Sequence, residues 1–339
     1  MKTKKNTSQG KITLNQMLKD SRVLVTGGAG FIGSNLVMRL LEEGARVRAT
    51  IHSHETVVSD SSVECFKGDL TLMEDCKSAV AGVDYVFHCA ASTSGAAVMK
   101  KSPLVHITPN IVMTSQLMEA AYLARVKKFV YLSSSAAYPP TGDRPVHEGE
   151  MFDGDPYDIY FGVGWMKRTA EWLAIFYSQK LKNPMSVTLV RPSNVFGPRD
   201  KFSPETSHVT AALIRRVVQR ENPFVVWGTG NDVRDLLYIE DFLDGLLLAF
   251  NHPSPYLAVN IAAGCGNSVK DVIRTLLDLD GYHDADVQFD TTKPQMIPVR
   301  LIDNSLAVEK LGFRPRFTLR EGLEKTISWY RKNQKSWTR

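Results

Sequence analysis

Short apolar runs alternate along this chain with longer segments whose apolar residues recur at helical spacing. The first run, at residues 23–26, stops at glycines and is followed by an amphipathic segment that reaches residue 43. Further predicted strands lie at 46–51, 63–67, 84–91, 127–134 and 186–191, and a long helical pattern covers 104–125. Strands that alternate with helices in this way predict a doubly wound parallel α/β sheet.

The turn after the first run is rich in glycine, with three glycines spaced three residues apart. Gly27 suits a turn with positive φ, Gly30 lets backbone amides approach a pyrophosphate, and Gly33 lets the helix pack closely on the strand. The helix amides and dipole then face an anion. A strand-to-helix turn that binds nothing is the alternative, but the strand before it and the helix after it favour dinucleotide binding.

Composition and charge narrow the class of protein. The 339 residues are 43% hydrophobic and 23% charged, which suits a folded enzyme. No apolar run approaches the roughly 20 residues that span a bilayer, so we expect no membrane insertion, no secretion and a cytoplasmic location. The four cysteines have no paired spacing, so we expect no disulfide and no metal. Most of the net charge of +5 comes from lysines in residues 1–20, a basic N-terminal extension that does not indicate nucleic-acid binding.

The Gly-x-x-Gly-x-x-Gly spacing resembles the short-chain dehydrogenase/reductase superfamily in its extended form. Blocks at 191–202, 208–216, 226–230 and 234–241 resemble the GDP-L-fucose synthase family in residue type and spacing. This resemblance covers nearly all of the chain after residue 20. It implies NADP(H) or NAD(H) as cofactor, a Rossmann-type sheet over 21–192 and a smaller α/β substrate-binding lobe over 193–339, with segments partly interchanged. We also expect a homodimer.

The resemblance places the cofactor along the carboxyl edge of the sheet. The residues it assigns to cofactor binding are Gly27, Gly30, Phe31, Ile32, Gly33, Asp69, Leu70, Ala90, Ala91, Lys167 and Asn194. The second strand ends at 51–54 without the carboxylate that would hold the ribose of NAD, which favours NADP; His52 and His54 are otherwise exposed loop residues. Asn110 stands where the superfamily has a helix-bending asparagine, with a helix cap as the alternative.

Two stretches carry the chemistry that the resemblance implies. In the run of three serines at 133–135, Ser134 aligns with the serine that hydrogen-bonds the reacting carbonyl, and Ser135 is the alternative. Ala136 stands where the family keeps a cysteine acid/base. In the second stretch, Lys167 matches the lysine of the superfamily's Tyr-x-x-x-Lys motif, but the tyrosine position holds Val163.

The missing phenol leaves the proton donor open among Tyr160, a water bound to Ser134, and His208. Tyr160 is the first choice. It stands seven residues before Lys167 in a helix expected over about 157–182, so it lies near 10 Å away at a rise of 1.5 Å per residue. At that distance the lysine does not tune the phenol directly, and we expect Tyr160 to keep an ordinary pKa.

Carried over position by position, the resemblance makes His208 the acid/base for epimerisation. It assigns substrate contacts to Ser135, Asn194, Arg216, Trp227, Arg234 and Lys293. A solvated helix face is the alternative for Arg216, and a core aromatic is the alternative for Trp227. The predicted function is epimerisation, reduction or both on a nucleoside-diphosphate 4-keto-sugar, with GDP favoured. The alternatives are a dehydratase, a single-centre epimerase, or a catalytically impaired homologue that binds cofactor and sugar.

Overall fold

The structure is a computed structural model that describes residues 15–52, 60–92, 104–204, 206–293, 296–335 and 337. Most of the basic extension, as well as His54, lies outside the described residues. The strands are β1 (Arg22–Thr26), β2 (Arg46–Ile51), β3 (Glu64–Lys67), β4 (Tyr85–His88), β5 (Lys128–Leu132), β6 (Ser186–Pro192), β7 (Asn194–Phe196), β8 (Phe224–Trp227), β9 (Val233–Tyr238), β10 (Tyr256–Ile261), β11 (Gly266–Ser268), β12 (Val287–Asp290) and β13 (Val299–Arg300).

Helices connect and cover these strands. They are α1 (Asn15–Leu18), α2 (Phe31–Glu42), α3 (Met73–Val80), α4 (Leu104–Leu123), α5 (Phe161–Gln179), α6 (Val209–Val218), α7 (Ile239–Asn251), α8 (Val269–Asp280), α9 (Ser305–Leu311) and α10 (Leu319–Asn333). Three short 3₁₀ turns, Ser135–Ala137, Glu148–Phe152 and Asp158–Tyr160, lie between β5 and α5.

The largest layer is a seven-stranded parallel sheet in the order β10-β6-β5-β4-β1-β2-β3. This order confirms the predicted doubly wound fold. Alternate residues of β1 enter different cores: Val23 and Val25 join the core that includes α2 and α7, whereas Leu24 joins the core that includes α3 and α4. Helices therefore cover both faces, which explains why β4 and β5 are buried at every position.

A smaller lobe is built around β9, which pairs with β7, β11 and β13. A separate parallel pair joins β8 to β12. The two parts are interleaved, because β10 belongs to the large sheet although it follows β9 in the chain. The boundary at residue 192 stays a prediction.

Among the described residues, no helix has the length and apolar character needed to cross a bilayer. The thiols of the four cysteines, Cys65, Cys76, Cys89 and Cys265, are free.

Candidate active site

The glycine turn after β1 leaves no room for side chains. Gly27 has φ +66°, and a Cβ on Gly33 would lie 2.1 Å from the Gly27 carbonyl oxygen. Gly30 is the N-cap of α2 and provides no side-chain cap, so the first amides of the helix, from Phe31 onward, point into the open cradle. This Cβ-free cradle of amides at a helix N-terminus fits the pyrophosphate of a nicotinamide dinucleotide.

A buried histidine holds the cradle against the neighbouring strand. The Thr26 hydroxyl accepts a 3.0 Å hydrogen bond from the Ala90 amide and lies 2.7 Å from His88 Nδ1. His88 Nε2 in turn lies 3.1 Å from the Thr114 hydroxyl. Burial lowers the pKa of His88 to about 3, so the ring is neutral at physiological pH. Sequence reasoning missed this role, for which the one signal was a histidine within an apolar strand.

The adenosine end of the cofactor site is defined by β2 and the turn after β3. Asp69 Oδ1 accepts hydrogen bonds from the Thr71 amide and hydroxyl at 2.9 and 2.8 Å, which lower the pKa of Asp69. His52, directly after β2, places Nε2 3.9 Å from Asp69 Oδ2. Leu70 is buried in the core, so only its backbone is available for a ligand.

Asn110 does not cap a helix; its side chain links α4 to the segment after β4 by hydrogen bonds. Its Oδ1 accepts from the Ser92 amide at 2.8 Å, and its Nδ2 donates to the carbonyls of Ser92 and His106 at 3.0 and 2.5 Å. Asn110 lies inside α4, next to Pro109. It therefore ties that helix to the segment that leaves β4 at the cofactor edge.

The three serines after β5 have different surroundings. Ser133 is buried and donates to Glu171 Oε1 at 2.5 Å, and Ser135 is buried as well. Ser134 is half-buried, and its Oγ accepts from the Ala136 amide at 3.1 Å, which leaves the hydroxyl hydrogen free to donate. Of the two alternatives, Ser134 has the more accessible side chain.

Glu171 belongs to a buried network beneath this loop. Arg191 donates to its carboxylate from Nε at 3.0 Å and from Nη2 at 2.5 Å, and Arg191 Nη1 donates to the Tyr138 hydroxyl at 2.9 Å. That hydroxyl donates to Asn260 Oδ1 at 2.7 Å. Burial alone would lower the pKa of Arg191, but the Glu171 carboxylate outweighs burial and raises it, so the pair stays charged.

The helix that carries Lys167 begins later than the sequence suggested. It runs over Phe161–Gln179, and the 3₁₀ turn Asp158–Tyr160 precedes it, so the expectation of a helix over 157–182 is wrong at both ends. A Cβ on Gly162 would lie 2.6 Å from Ile107 Cδ1, and one on Gly164 would lie 2.5 Å from Pro156 Cγ. These glycines allow α5 to pack closely against Ile107 of α4 and against Pro156, which precedes the 3₁₀ turn Asp158–Tyr160.

Lys167 lies at the carboxyl end of β5. Its ammonium donates to the Leu132 carbonyl at 2.7 Å and stands 4.8 Å from the centre of the Tyr131 ring. Burial lowers the pKa of Lys167 to about 8, although the charge of Glu171 opposes this shift. The amine therefore retains its proton at neutral pH but holds it less tightly than an ordinary lysine does.

Tyr160 turns toward the smaller lobe. Burial raises its pKa, and the guanidinium groups of Arg234 and Arg300 act in the opposite direction. The expected ordinary pKa is therefore wrong, because the side chain is partly withdrawn from water. Within the described part of the chain, neither Lys167 nor any other group is hydrogen-bonded to its hydroxyl.

The predicted substrate residues of the smaller lobe gather around α6 and β9. His208 is the exposed N-cap of α6, and desolvation of its ring, followed by the charge of Lys201, lowers its pKa. Arg234 on β9 donates to the Val233 and Pro298 carbonyls at 2.8 and 3.1 Å. It borders a small recess whose other lining residues are Val209, Thr210, Leu213, Leu236, Asn267, Val269 and Val272. Asn194 is exposed on β7.

The other three predicted substrate contacts, Arg216, Trp227 and Lys293, differ in how exposed their side chains are and in whether they are already paired. Arg216 already donates to both carboxylate oxygens of Glu221 at 2.8 and 2.7 Å and to the Val225 carbonyl at 2.7 Å. Trp227 is 55% exposed at the end of β8, so it is not a core aromatic. Lys293 is exposed, with its ammonium 3.8 Å from Asp290.

Sequence reasoning missed Arg300, which joins the two parts of the site. This buried side chain on β13 donates to the Pro139 and Tyr138 carbonyls at 2.9 and 3.1 Å. Its Nε has no partner among the described residues, and burial lowers its pKa to about 10. A positive charge thus lies between the serine loop and the lobe that carries Arg234.

Known proteins of similar sequence and structure identify the family to which this fold belongs. The pattern of the NAD dependent epimerase/dehydratase family matches residues 23–262. The chain is 29% identical to GDP-L-fucose synthase 1 of Arabidopsis thaliana over 328 residues, which covers 93% of this chain and 94% of that protein. UDP-glucose 4-epimerase of Thermotoga maritima, solved with UDP-glucose, superposes with a TM-score of 0.83 at 28% identity and covers 92% of this chain and 99% of that one. MoeE5, solved with UDP-glucuronic acid and NAD, gives a TM-score of 0.79 at 27% identity, with 92% and 99% covered.

The chain belongs to the NAD dependent epimerase/dehydratase family, within the extended short-chain dehydrogenases/reductases. It is an NAD(P)-dependent enzyme of the nucleotide-sugar epimerase, reductase and dehydratase group.

Proposed function

We propose that the protein epimerises, reduces, or both epimerises and reduces a nucleoside-diphosphate 4-keto-sugar, with a GDP-linked sugar favoured. The observation that carries this proposal is His208. His208 stands at the N-terminus of α6, directly before Val209 and Thr210, which line the recess that Arg234 borders. Its lowered pKa favours the neutral imidazole, and such a base can remove a proton from the carbon beside a ketone. The resemblance to GDP-L-fucose synthases over most of the chain supports the GDP-linked substrate.

The remaining site residues take the roles that their sequence positions suggest. Ser134 hydrogen-bonds the sugar carbonyl, Lys167 holds the nicotinamide ribose, and Arg234 binds the diphosphate. Tyr160 is the candidate proton donor inferred from sequence, and its place beside two guanidinium groups also suits a group that touches the substrate. Arg216 contributes only if it leaves Glu221, since its guanidinium is already paired.

The test is turnover of GDP-4-keto-6-deoxymannose in D₂O with NADPH and, separately, with NADH. Deuterium at the carbons that flank the ketone together with oxidation of the cofactor would support an epimerase/reductase. Deuterium without oxidation would support an epimerase alone. If neither deuterium incorporation nor cofactor oxidation occurs with this substrate or with its UDP and dTDP counterparts, the proposal is wrong.

A second candidate is a protein that binds cofactor and sugar but does not reduce the ketone. Val163 favours it, because the motif position that supplies a phenol in the superfamily holds a side chain without a proton to give. Binding of the nucleotide sugar by calorimetry, without deuterium exchange or cofactor oxidation, would select this candidate.

We also propose a homodimer that forms through α4 and α5, which pack against each other. These two helices expose large apolar side chains, including Leu104, Val105 and Leu123 on α4 and Trp172 and Phe176 on α5. A second copy of the same surface would bury them. A cytoplasmic location fits the four free thiols, which persist in a reducing compartment.

A further inference from the structure

The position on α5 one turn before Lys167 carries no phenol. Val163 lies one helical turn before Lys167, so the two side chains share one face. Val163 is half-buried, and it stands beside Gly164, whose Cβ position is 3.2 Å from the Ala136 carbonyl of the serine loop. Valine has no proton to give, so the phenol that the motif supplies one turn before Lys167 is missing here, whereas the Lys167 ammonium lies at the Leu132 carbonyl, two residues before Ser134.

The ammonium of Lys167 has hydrogens to spare on this face. It can donate three hydrogen bonds, and the structure gives it one protein acceptor, the Leu132 carbonyl at 2.7 Å. The nearest carboxylate along the helix, Glu171, is occupied by Arg191 and Ser133. Among the described residues, no carboxylate forms an ion pair with Lys167, so none competes for its proton.

We propose that Lys167, in addition to its contact with the nicotinamide ribose, is the acid that protonates the substrate oxygen, directly or through one water. This inference rests on the proposed function. The reduced nicotinamide, when bound, would supply hydride to the carbonyl carbon, and the carbonyl π pair would become an alkoxide lone pair. The alkoxide takes a proton from Nζ, and the neutral amine that remains regains a proton from solvent. In the reverse direction the neutral amine accepts the alcohol proton.

Two observations support Lys167 over Tyr160. Burial lowers the pKa of Lys167 to about 8, close to the pH at which a general acid gives up its proton most readily. Burial raises the pKa of Tyr160, which makes that phenol a weaker acid, and its side chain faces Arg234 and Arg300 of the smaller lobe.

The first measurement needs no turnover. In protein with ¹³C at the ε-carbon of every lysine, the signal that disappears in Lys167→Arg belongs to Lys167. We expect it to titrate near pH 8 in the full chain, whereas exposed lysines titrate above about 10. A Lys167 signal that titrates with the exposed lysines would overturn the inference, whatever the substrate is.

The second measurement is the pH profile of ketone reduction. We expect kcat to fall as the pH rises above about 8 in the parent protein. In Lys167→Arg, which keeps the positive charge but does not release a proton, we expect kcat to fall about 100-fold while the Kd of the cofactor changes little. The matched control is Lys77→Arg on α3, an exposed lysine paired with Glu74, and it should follow the parent.

The outcomes separate the inference from the proposed function. If Lys167→Arg keeps the parent's kcat and also the fall of kcat above about pH 8 (the basic limb of the profile), the proton comes from elsewhere and the inference is wrong, although the enzyme still reduces a keto-sugar. The basic limb should persist in Tyr160→Phe, and its loss there would return the role to Tyr160. If the parent reduces no nucleotide keto-sugar although Lys167 titrates near pH 8, the proposed reduction is wrong and the donor role falls with it.

Discussion

Desolvation of single titratable groups sets the acid–base chemistry that this cleft offers. It lowers the pKa of His208 and of Lys167, so near pH 7 the site holds a neutral imidazole and an ammonium with a weakened hold on its proton. In the proposed reactions, epimerisation requires a base and ketone reduction requires an acid.

His208 should give proton exchange a characteristic pH dependence. Its pKa in the folded protein is lowered, so the active, neutral form gains as the pH rises through that lowered value. We expect deuterium incorporation into the keto-sugar to rise with pH and then level, and His208→Asn to lose about 100-fold in the exchange rate, measured by NMR of the sugar. Exchange in His208→Asn as fast as in the parent would assign the base elsewhere.

Gly30 should separate cofactor binding from folding. A Cβ there would lie 3.1 Å from the Gly27 carbonyl oxygen, a contact that a small shift relieves, whereas a Cβ on Gly33 would lie 2.1 Å from the same atom. We expect Gly30→Leu to fold but to lose NADPH binding, because the side chain fills the cradle where the pyrophosphate lies. Calorimetry measures the binding and the unfolding temperature controls for folding; unchanged affinity would remove the cradle from the cofactor site.

Val163→Tyr should raise the rate of ketone reduction. The new phenol would stand one turn before Lys167, whose positive charge would lower the pKa of that phenol and favour proton transfer. We expect at least about a tenfold increase in the oxidation of NADPH with the keto-sugar, followed by its absorbance. A rate equal to the parent's would mean that proton delivery does not limit reduction in this protein.

At the scale of elements, buried polar links fasten α5 and the serine loop to the sheet. Glu171 on α5 and Arg191 on β6 form an ion pair with almost no exposure. We expect Glu171→Gln to lower the free energy of unfolding by about 3–5 kcal/mol, because it leaves the guanidinium buried without a countercharge. Urea unfolding measures this; Asp278→Asn, which breaks the exposed pair with Arg320, should change it by less than about 1 kcal/mol. Equal effects would show that the buried pair carries no special weight.

The elements that sequence predicted well are those with an apolar pattern of their own. The second strand was predicted at 46–51 and lies at Arg46–Ile51, because its apolar residues Val47, Ala49 and Ile51 alternate with polar ones at the period of a strand. The start of α5 was predicted badly. Gly162 and Gly164 weaken a helix by propensity but serve here for close packing against Ile107 and Pro156, contacts that a single sequence does not reveal.

The same limit applies within the site. The glycine cradle and Lys167 could be predicted because local spacing defines them. Arg300 could not, since its role depends on β13 lying beside β9 and within reach of the loop after β5, residues separated by more than a hundred positions in the chain. The pairing of Arg216 with Glu221 was missed for a related reason: the sequence pattern records the residue but not which partner it meets.

At the scale of the molecule, the site lies where two interleaved parts meet. The cofactor cradle and Lys167 belong to the large sheet, and His208 and Arg234 belong to the smaller lobe. Arg300 bridges them through the carbonyls of Tyr138 and Pro139. Under the proposed function, a substrate held by the lobe would lie over the carboxyl ends of the strands, the position at which doubly wound sheets bind their ligands.

The outer surface of α4 and α5 should decide the assembly state. Trp172 is 59% exposed and stacks on Phe176, and Leu104 and Leu123 are 70% and 63% exposed on the adjoining helix. An isolated chain would leave these side chains in water, and a two-fold axis along the helix pair would cover them with their own copies. We therefore expect the parent to sediment as a dimer of 37.8 kDa chains and Trp172→Glu to sediment as a monomer, since each interface would bury two unpaired charges.

The control for this change is Leu72→Glu, which adds the same charge at a 56% exposed leucine, the N-cap of α3, that belongs to neither α4 nor α5. It should remain dimeric. A monomeric parent, or a Trp172→Glu variant that stays dimeric while Leu72→Glu dissociates, would move the interface away from α4 and α5. Because the serine loop packs against the first turn of α5, the monomeric variant should also show a lower kcat at unchanged cofactor affinity. A lower kcat at unchanged cofactor affinity would show that dimer formation helps to position Lys167 and does not affect the glycine cradle.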